Sequence, residues 1–203
     1  MKSDNLGYLG EVVYSAISQW TTQAWQYDCY PEFGSVICLQ SDQVQIFGVV
    51  YHIKTDSDDP VRQVFAFQKL EQELREEQPQ VFAFAKTSFS AIPLAFLQAG
   101  RLIYAMPPRP PKLHSFVRLA TTAELVNLLA NSGCVHALFS QYAKIEYFEE
   151  LLLAFLRYLE QNNLVSRSLL MQISEQLSLV TTNDYRRLKM FMDRVGDIKI
   201  LNI

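Results

Sequence analysis

Apolar residues follow a period of two, or fall in short runs, over the first half of the chain, and recur every 3.6 residues over the second. Val12, Tyr14 and Ala16 fall at every second position, and residues 20–27 are rich in aromatics and threonine. Residues 34–39 and 44–53 are apolar runs separated by the polar turn Gln40-Ser41-Asp42-Gln43. Residues 80–86, 102–106 and 113–119 complete a set of short candidate strands. Such strands, punctuated by turns, predict a small antiparallel barrel or sandwich. Gly10, Gly34 and Gly48 each lead, directly or after one polar residue, into a β-branched or aromatic run. Glycine at such positions marks sharply bent strands. The expectation is therefore a six-stranded β-barrel over residues 7–119, with glycines at its bends.

Three stretches interrupt the strand pattern. Thr55-Asp56-Ser57-Asp58-Asp59-Pro60 reads as an acidic loop, and residues 69–78 have the composition of a short helix. Pro107-Pro108-Arg109-Pro110-Pro111 lacks four backbone N–H groups, which excludes helix and central strand. It reads as a stiff connector or, in polyproline II form, as an SH3-type ligand.

The 3.6 period begins after Ala120. Thr121-Thr122-Ala123-Glu124 is a capping box before Leu125, Leu128 and Leu129, and Gly133 suits the C′ position of that helix. Phe148, Leu151, Leu152, Phe155, Leu156 and Leu159 line one face of a second helix ending near Asn162-Asn163. Ser166 or Ser168 caps a third, with Leu169, Leu170, Ile173 and Leu177 inward. Thr182 is placed at the start of a fourth, with Tyr185, Leu188, Phe191 and Met192 inward and Gly196 as its stop. Ile198, Ile200 and Ile203 form an apolar tail. The fold class expected is α+β: a small antiparallel barrel followed by a helical bundle domain, residues 120–203, packed on one side of it.

The residues around the glycines resemble a known family. Gly10-Glu11-Val12-Val13, Phe33-Gly34-Ser35-Val36-Ile37 and Phe47-Gly48-Val49-Val50-Tyr51-His52-Ile53 are similar to the early strands of the HerA–ATP synthase barrel, or HAS-barrel. Pro93-Leu94 and Ala99-Gly100-Arg101-Leu102-Ile103-Tyr104-Ala105 resemble its later proline and glycine stretch. The resemblance covers about half the chain, residues 7–119. It implies a barrel that mediates assembly and carries no chemistry. HerA-like proteins follow the barrel with an ATPase core, which needs a G-x-x-x-x-G-K-[ST] loop. No Gly-Lys pair occurs here, so the resemblance implies the stand-alone barrel without the motor.

Composition narrows the partners. A net charge of −3, with 10 basic and 12 acidic residues up to Leu119 and 8 and 9 after it, leaves neither half a basic arm. No apolar run approaches the ~18 residues that span a bilayer, and the polar first residues do not lead into a signal sequence. Three cysteines, Cys29, Cys38 and Cys134, without an export signal suit reduced thiols and a cytoplasmic location. The histidines His52, His114 and His136 make only one close Cys/His pair, Cys134 with His136, with no second pair to complete a zinc site. No nucleophile elbow is present, and Glu76-Glu77 and Glu149-Glu150 read as solvated helix faces. No cofactor, metal or catalytic residue is expected, nor any binding of nucleoside triphosphates.

Two features suit contacts with a partner. Trp20, Trp25, Tyr27, Tyr30 and Phe33 cluster around the second strand, and Arg186, Arg187, Lys189 and Arg194 lie on the last helix. Aromatics on a barrel can stack single-stranded bases, but residues 10–53 hold no lysine or arginine to meet phosphates. The basic helix reads as a recognition helix, or as cations near a helix C-terminus. The leading expectation is a non-catalytic adaptor or assembly factor docking a larger protein complex. The alternative is a nucleic-acid-associated protein.

Overall fold

The computed structural model describes residues 7–57, 66–182, 184–196 and 198. Seven strands run β1 (Tyr8–Ser15), β2 (Trp20–Ala24), β3 (Val36–Ser41), β4 (Val44–Ser57), β5 (Ala85–Gln98), β6 (Arg101–Ile103) and β7 (Phe116–Leu119). Two short helices, α1 (Glu71–Glu77) and α2 (Gln80–Ala83), lie between β4 and β5. After β7 come α3 (Thr122–Leu128), α4 (Gly133–Phe139), a 3₁₀ turn (Tyr142–Lys144), α5 (Phe148–Gln161), α6 (Arg167–Val180) and α7 (Tyr185–Val195).

The sheet order is β2-β1-β7-β3-β4-β5, and β5 returns to β2 through pairs from Trp20↔Ala91 to Gln23↔Ser88. This closes a six-stranded antiparallel barrel, with β6 hanging on the far end of β5 outside the ring. The fold is α+β, barrel first and helices after.

Both faces of the central strands are covered, which explains their unbroken apolar runs. In β3, Ile37 and Leu39 point into the barrel beside Val12, Trp20, Val50 and Phe89. Val36 and Cys38 point outward and join Phe47, Val49, Ile92 and Leu94 under the helices. The helical layer is built on α5, whose Leu151, Leu152, Phe155, Leu156 and Leu159 are all buried. Gly34 has φ +85°, and a Cβ there would lie 2.6 Å from the backbone of Ala154 and Phe155. Only glycine lets α5 approach the start of β3 so closely.

Several expectations need correction. Residues 80–86 are not a strand: they form α2 and the first residues of β5. The barrel's fifth strand continues to Gln98 through Pro93, which is tolerated because it stands opposite Gly48 at a register shift. Thr55 to Ser57 belong to β4, paired with Thr87 to Ala85, and are not loop; Asp58 to Pro60 lie outside the described residues. The strand over 102–106 shrinks to β6. Gly133 does not close α3, which stops at Leu128; Asn131 Oδ1 accepts its N–H at 2.8 Å and it opens α4. The last helix is capped by Asp184, which accepts from Arg187 N–H, while Thr182 sits before it at φ +54°. Tyr185 on that helix is 75% exposed and not inward. Among the described residues the bundle holds five α-helices, against an expectation of about four. Ile198 is buried, whereas Ile200 and Ile203 lie outside the described residues.

Candidate interaction surface

The helices cover the outward faces of β3, β4 and β5, while large apolar side chains on β1 and β7 stand in solvent. Val13, Trp25 and Phe116 are each more than two-fifths exposed. Phe116 stands between two rings, 5.2 Å from Trp25 edge-on and 5.5 Å from Tyr8. These distances are those of favourable aromatic pairs. The register explains the row: Phe116 is the strand partner of Glu11, and Trp25 follows β2 where its N–H bonds Leu9 C=O. Glu11 orients two neighbours, accepting from Trp25 Nε1–H at 3.1 Å and lying 3.1 Å from His114 Nδ1. His114 is held by its backbone N–H on Val12 C=O, in a turn where its φ is +64°.

Beside this row is an open groove of about 390 Å³ walled by Tyr8, Phe116, Gln40, Gln45 and Arg118. Its charge is internally matched. Arg118 forks onto Glu124, Nη2 to Oε1 at 2.7 Å and Nη1 to Oε2 at 2.8 Å. Glu124 also accepts from Gln45 Nε2 at 2.6 Å and from the Thr121 N–H at 2.8 Å, completing the expected capping box. Arg118 and these further donors hold the Glu124 carboxyl down at about 2, and Glu124 raises Arg118 in turn. Burial pushes the Cys38 thiol up to about 11 and Cys134 up to about 12, so both are protonated thiols at neutral pH.

The aromatics singled out from sequence do not share one face. Trp20 is 1% exposed inside the barrel, and it is no surface residue. Phe33 is half-buried against the helical core. Tyr27 is pinned to α1: its O–H donates to Glu71 at 3.2 Å, and Arg75 lies over the rings of Tyr27 and Phe82. Tyr30 is exposed without joining the row, so only Trp25 of the five belongs to it. Tyr8 and Phe116 were missed. Their signal was alternation on the first and last strands, read for core positions rather than for the outward ones.

The basic set on α7 also divides. Arg187 Nε meets Glu149 Oε1 at 2.5 Å, and Arg194 forks onto Glu150 at 2.5 and 2.7 Å, tying α7 to the first turn of α5. Arg186 and Lys189 are exposed. Cys134 and His136 fall on α4 with the thiol buried and the imidazole exposed, so they do not converge. Among the described residues no group of three His, Cys, Asp or Glu is placed to hold a metal, and no helix is long and apolar enough to cross a membrane. The proline run is a strap anchored at both ends. Pro107 and Pro111 are buried, Ser15 Oγ–H donates to Pro111 C=O, and the Lys112 N–H donates to Ser41 Oγ at 3.1 Å.

No protein-family model and no curated protein matches the chain.

Proposed function

We propose that this protein is a non-catalytic adaptor, a HAS-like barrel without a motor, that docks a larger cytoplasmic protein complex through the uncovered face of β1 and β7. The observation that carries the reading is the row Trp25–Phe116–Tyr8, which the helices leave uncovered, with Trp25 and Phe116 more than two-fifths exposed and Tyr8 half-buried beside them. Large aromatics with a polar handle are the residues that dominate protein interfaces. A row held rigid by Glu11 and a strand register loses little side-chain freedom on binding. Nucleic-acid binding has weaker support. Arg118 beside the row is already matched by Glu124, and two of the four α7 cations are matched by α5.

The test is affinity capture with mass spectrometry, comparing the parent with Trp25→Ala and Phe116→Ala. Partners lost in both variants, with binding that changes little between low and moderate salt, support docking through the row. Capture that is unchanged by both, or nucleic-acid binding that falls steeply with salt, overturns it. Calorimetry with ATP and magnesium is expected to show no saturable heat at millimolar nucleotide; micromolar binding would contradict a non-catalytic role.

A further inference from the structure

We propose that the end of the barrel crossed by the proline strap is a binding site for a small amphipathic carboxylate, whose anionic head meets Arg109 and whose apolar body lies on Val44 and Ile46. A cavity of about 610 Å³ opens there, with Ser41, Val44, Ile46, Gln98, Pro108 and Arg109 among its lining. Strand alternation explains its chemistry, because residues two apart share a face. Ile37 and Leu39 face the barrel interior, which turns Ser41 the same way; Ile46 brings Val44 with it, and Phe96 brings Gln98. Val44 pairs with Ser41 on one side and Gln98 on the other, so these three form a row across the rim. The layer beneath, Leu39, Ile46 and Phe96, is apolar and buried. The wall thus turns from apolar to mixed at the rim, which suits a ligand with its apolar end inward and its polar end out. Mouths of β-barrels are a preferred place for small-molecule sites, and this volume lies within their usual range.

The strap supplies the charge. It is fastened to the barrel by Ser15 Oγ–H on Pro111 C=O and by the Lys112 N–H on Ser41 Oγ. Pro108 and Pro110 fix the backbone on either side of Arg109, and a residue before proline is itself confined. Arg109 is therefore presented with little backbone freedom left to lose on binding. Of the charged groups at this rim, Asp42 is paired with Lys112 Nζ, whereas among the described residues none bonds or pairs with the Arg109 side chain. A guanidinium forks onto a carboxylate through two parallel N–H···O bonds. A phosphate, with its greater charge, would meet one free cation and also the carboxylate of Asp42, which lines the same cavity. The charge at the rim therefore favours a monocarboxylate.

Octanoate is the probe. Titration followed by backbone amide NMR is expected to saturate with a dissociation constant on the order of 0.1–1 mM, with shifts centred on Ser41 to Ile46, Gln98 and Arg109. Arg109→Gln, on an exposed segment, is expected to weaken binding roughly tenfold while the denaturant midpoint stays unchanged. Octanol, which lacks the charge, is expected to bind about tenfold more weakly than octanoate. Trp25→Ala, outside this cavity, is expected to leave octanoate binding unchanged, so the test is independent of the docking row. Failure to saturate by about 10 mM, ten times the upper bound, overturns the proposal. So do shifts centred instead on Phe116 and Arg118, an Arg109→Gln variant that binds octanoate as the parent does, or octanol binding as tightly as octanoate. A carboxylate also ends every protein chain. A hexapeptide ending in leucine that binds more tightly than octanoate would assign the site to a protein tail and overturn the small-molecule reading.

Discussion

Gly48 and Trp20 show how a single missing side chain shapes the barrel. A Cβ on Gly48 would lie 2.3 Å from the Trp20 ring and 2.6 Å from the Ile92 carbonyl. The interior holds one indole because one strand gives up a methyl. Gly48→Ala is expected to cost about 1–3 kcal/mol by overpacking, measurable by denaturant unfolding, and a smaller residue at position 20 is expected not to restore it, because the clash with the Ile92 carbonyl stays. Glu124 makes a second residue-scale prediction. Its carboxyl is held near 2, below the ordinary 4.5, by Arg118, Thr121 and Gln45. A group depressed in the folded state stabilises above its unfolded value, and that stability is lost as pH falls from about 4.5 through 2. Glu124→Gln keeps the capping geometry but removes the charge. It is expected to lower stability at pH 7 by about 1–3 kcal/mol and to flatten the acid limb of the stability curve over that window.

Elements were legible where local chemistry decides them and opaque where distant neighbours do. The capping box at Thr121, the inner face of α5 and the Ser166 cap follow from adjacent residues alone. β5 did not, because its proline disqualifies a strand unless a bulge interrupts the ladder, and the bulge at Leu94 is defined only by the pairing of Pro93 with Gly48, 45 residues away. Gly133 misled for a similar reason: it looks like a helix stop until its N–H is seen donating to Asn131 Oδ1 as the first residue of the next helix. On α7 the pattern of basic residues suggested a binding element, while the structure ties two of them to α5. Buried Phe191 and Val195 set the docking of this helix, and exposed ion pairs add little. Phe191→Ala is therefore expected to cost roughly 3–5 kcal/mol, or to unfold α7 locally. Arg186→Glu is expected to change stability by less than about 0.5 kcal/mol. Hydrogen exchange across residues 185–195 distinguishes the two outcomes.

At the scale of the molecule, barrel and helices are not independent. Val36, Cys38, Phe47, Val49, Ile92 and Leu94 belong to the same apolar cluster as α5 and α6. Removing the helices would expose the whole outward side of three strands. Unfolding is expected as one transition, with near-ultraviolet signals from the barrel and far-ultraviolet signals from the helices melting together. Separated midpoints would mean that the shared cluster does not couple the layers. The barrel is also expected to close late. Tyr8 pairs with Arg118, so the first strand waits for residues more than a hundred positions on. Such long loop closure slows folding relative to local helix formation.

The chain has two tryptophans, and they stand in opposite surroundings: Trp20 enclosed by the barrel, Trp25 open on the aromatic row. The molecule thus carries its own pair of optical probes. Light from the enclosed indole is shielded from aqueous quenchers and reports whether the barrel is shut. Light from the open one is quenched freely until something covers it. With Trp25→Phe, the remaining emission is expected to be blue-shifted and inaccessible to iodide; in the parent, loss of iodide access on mixing would mark occupancy of the face without any added label.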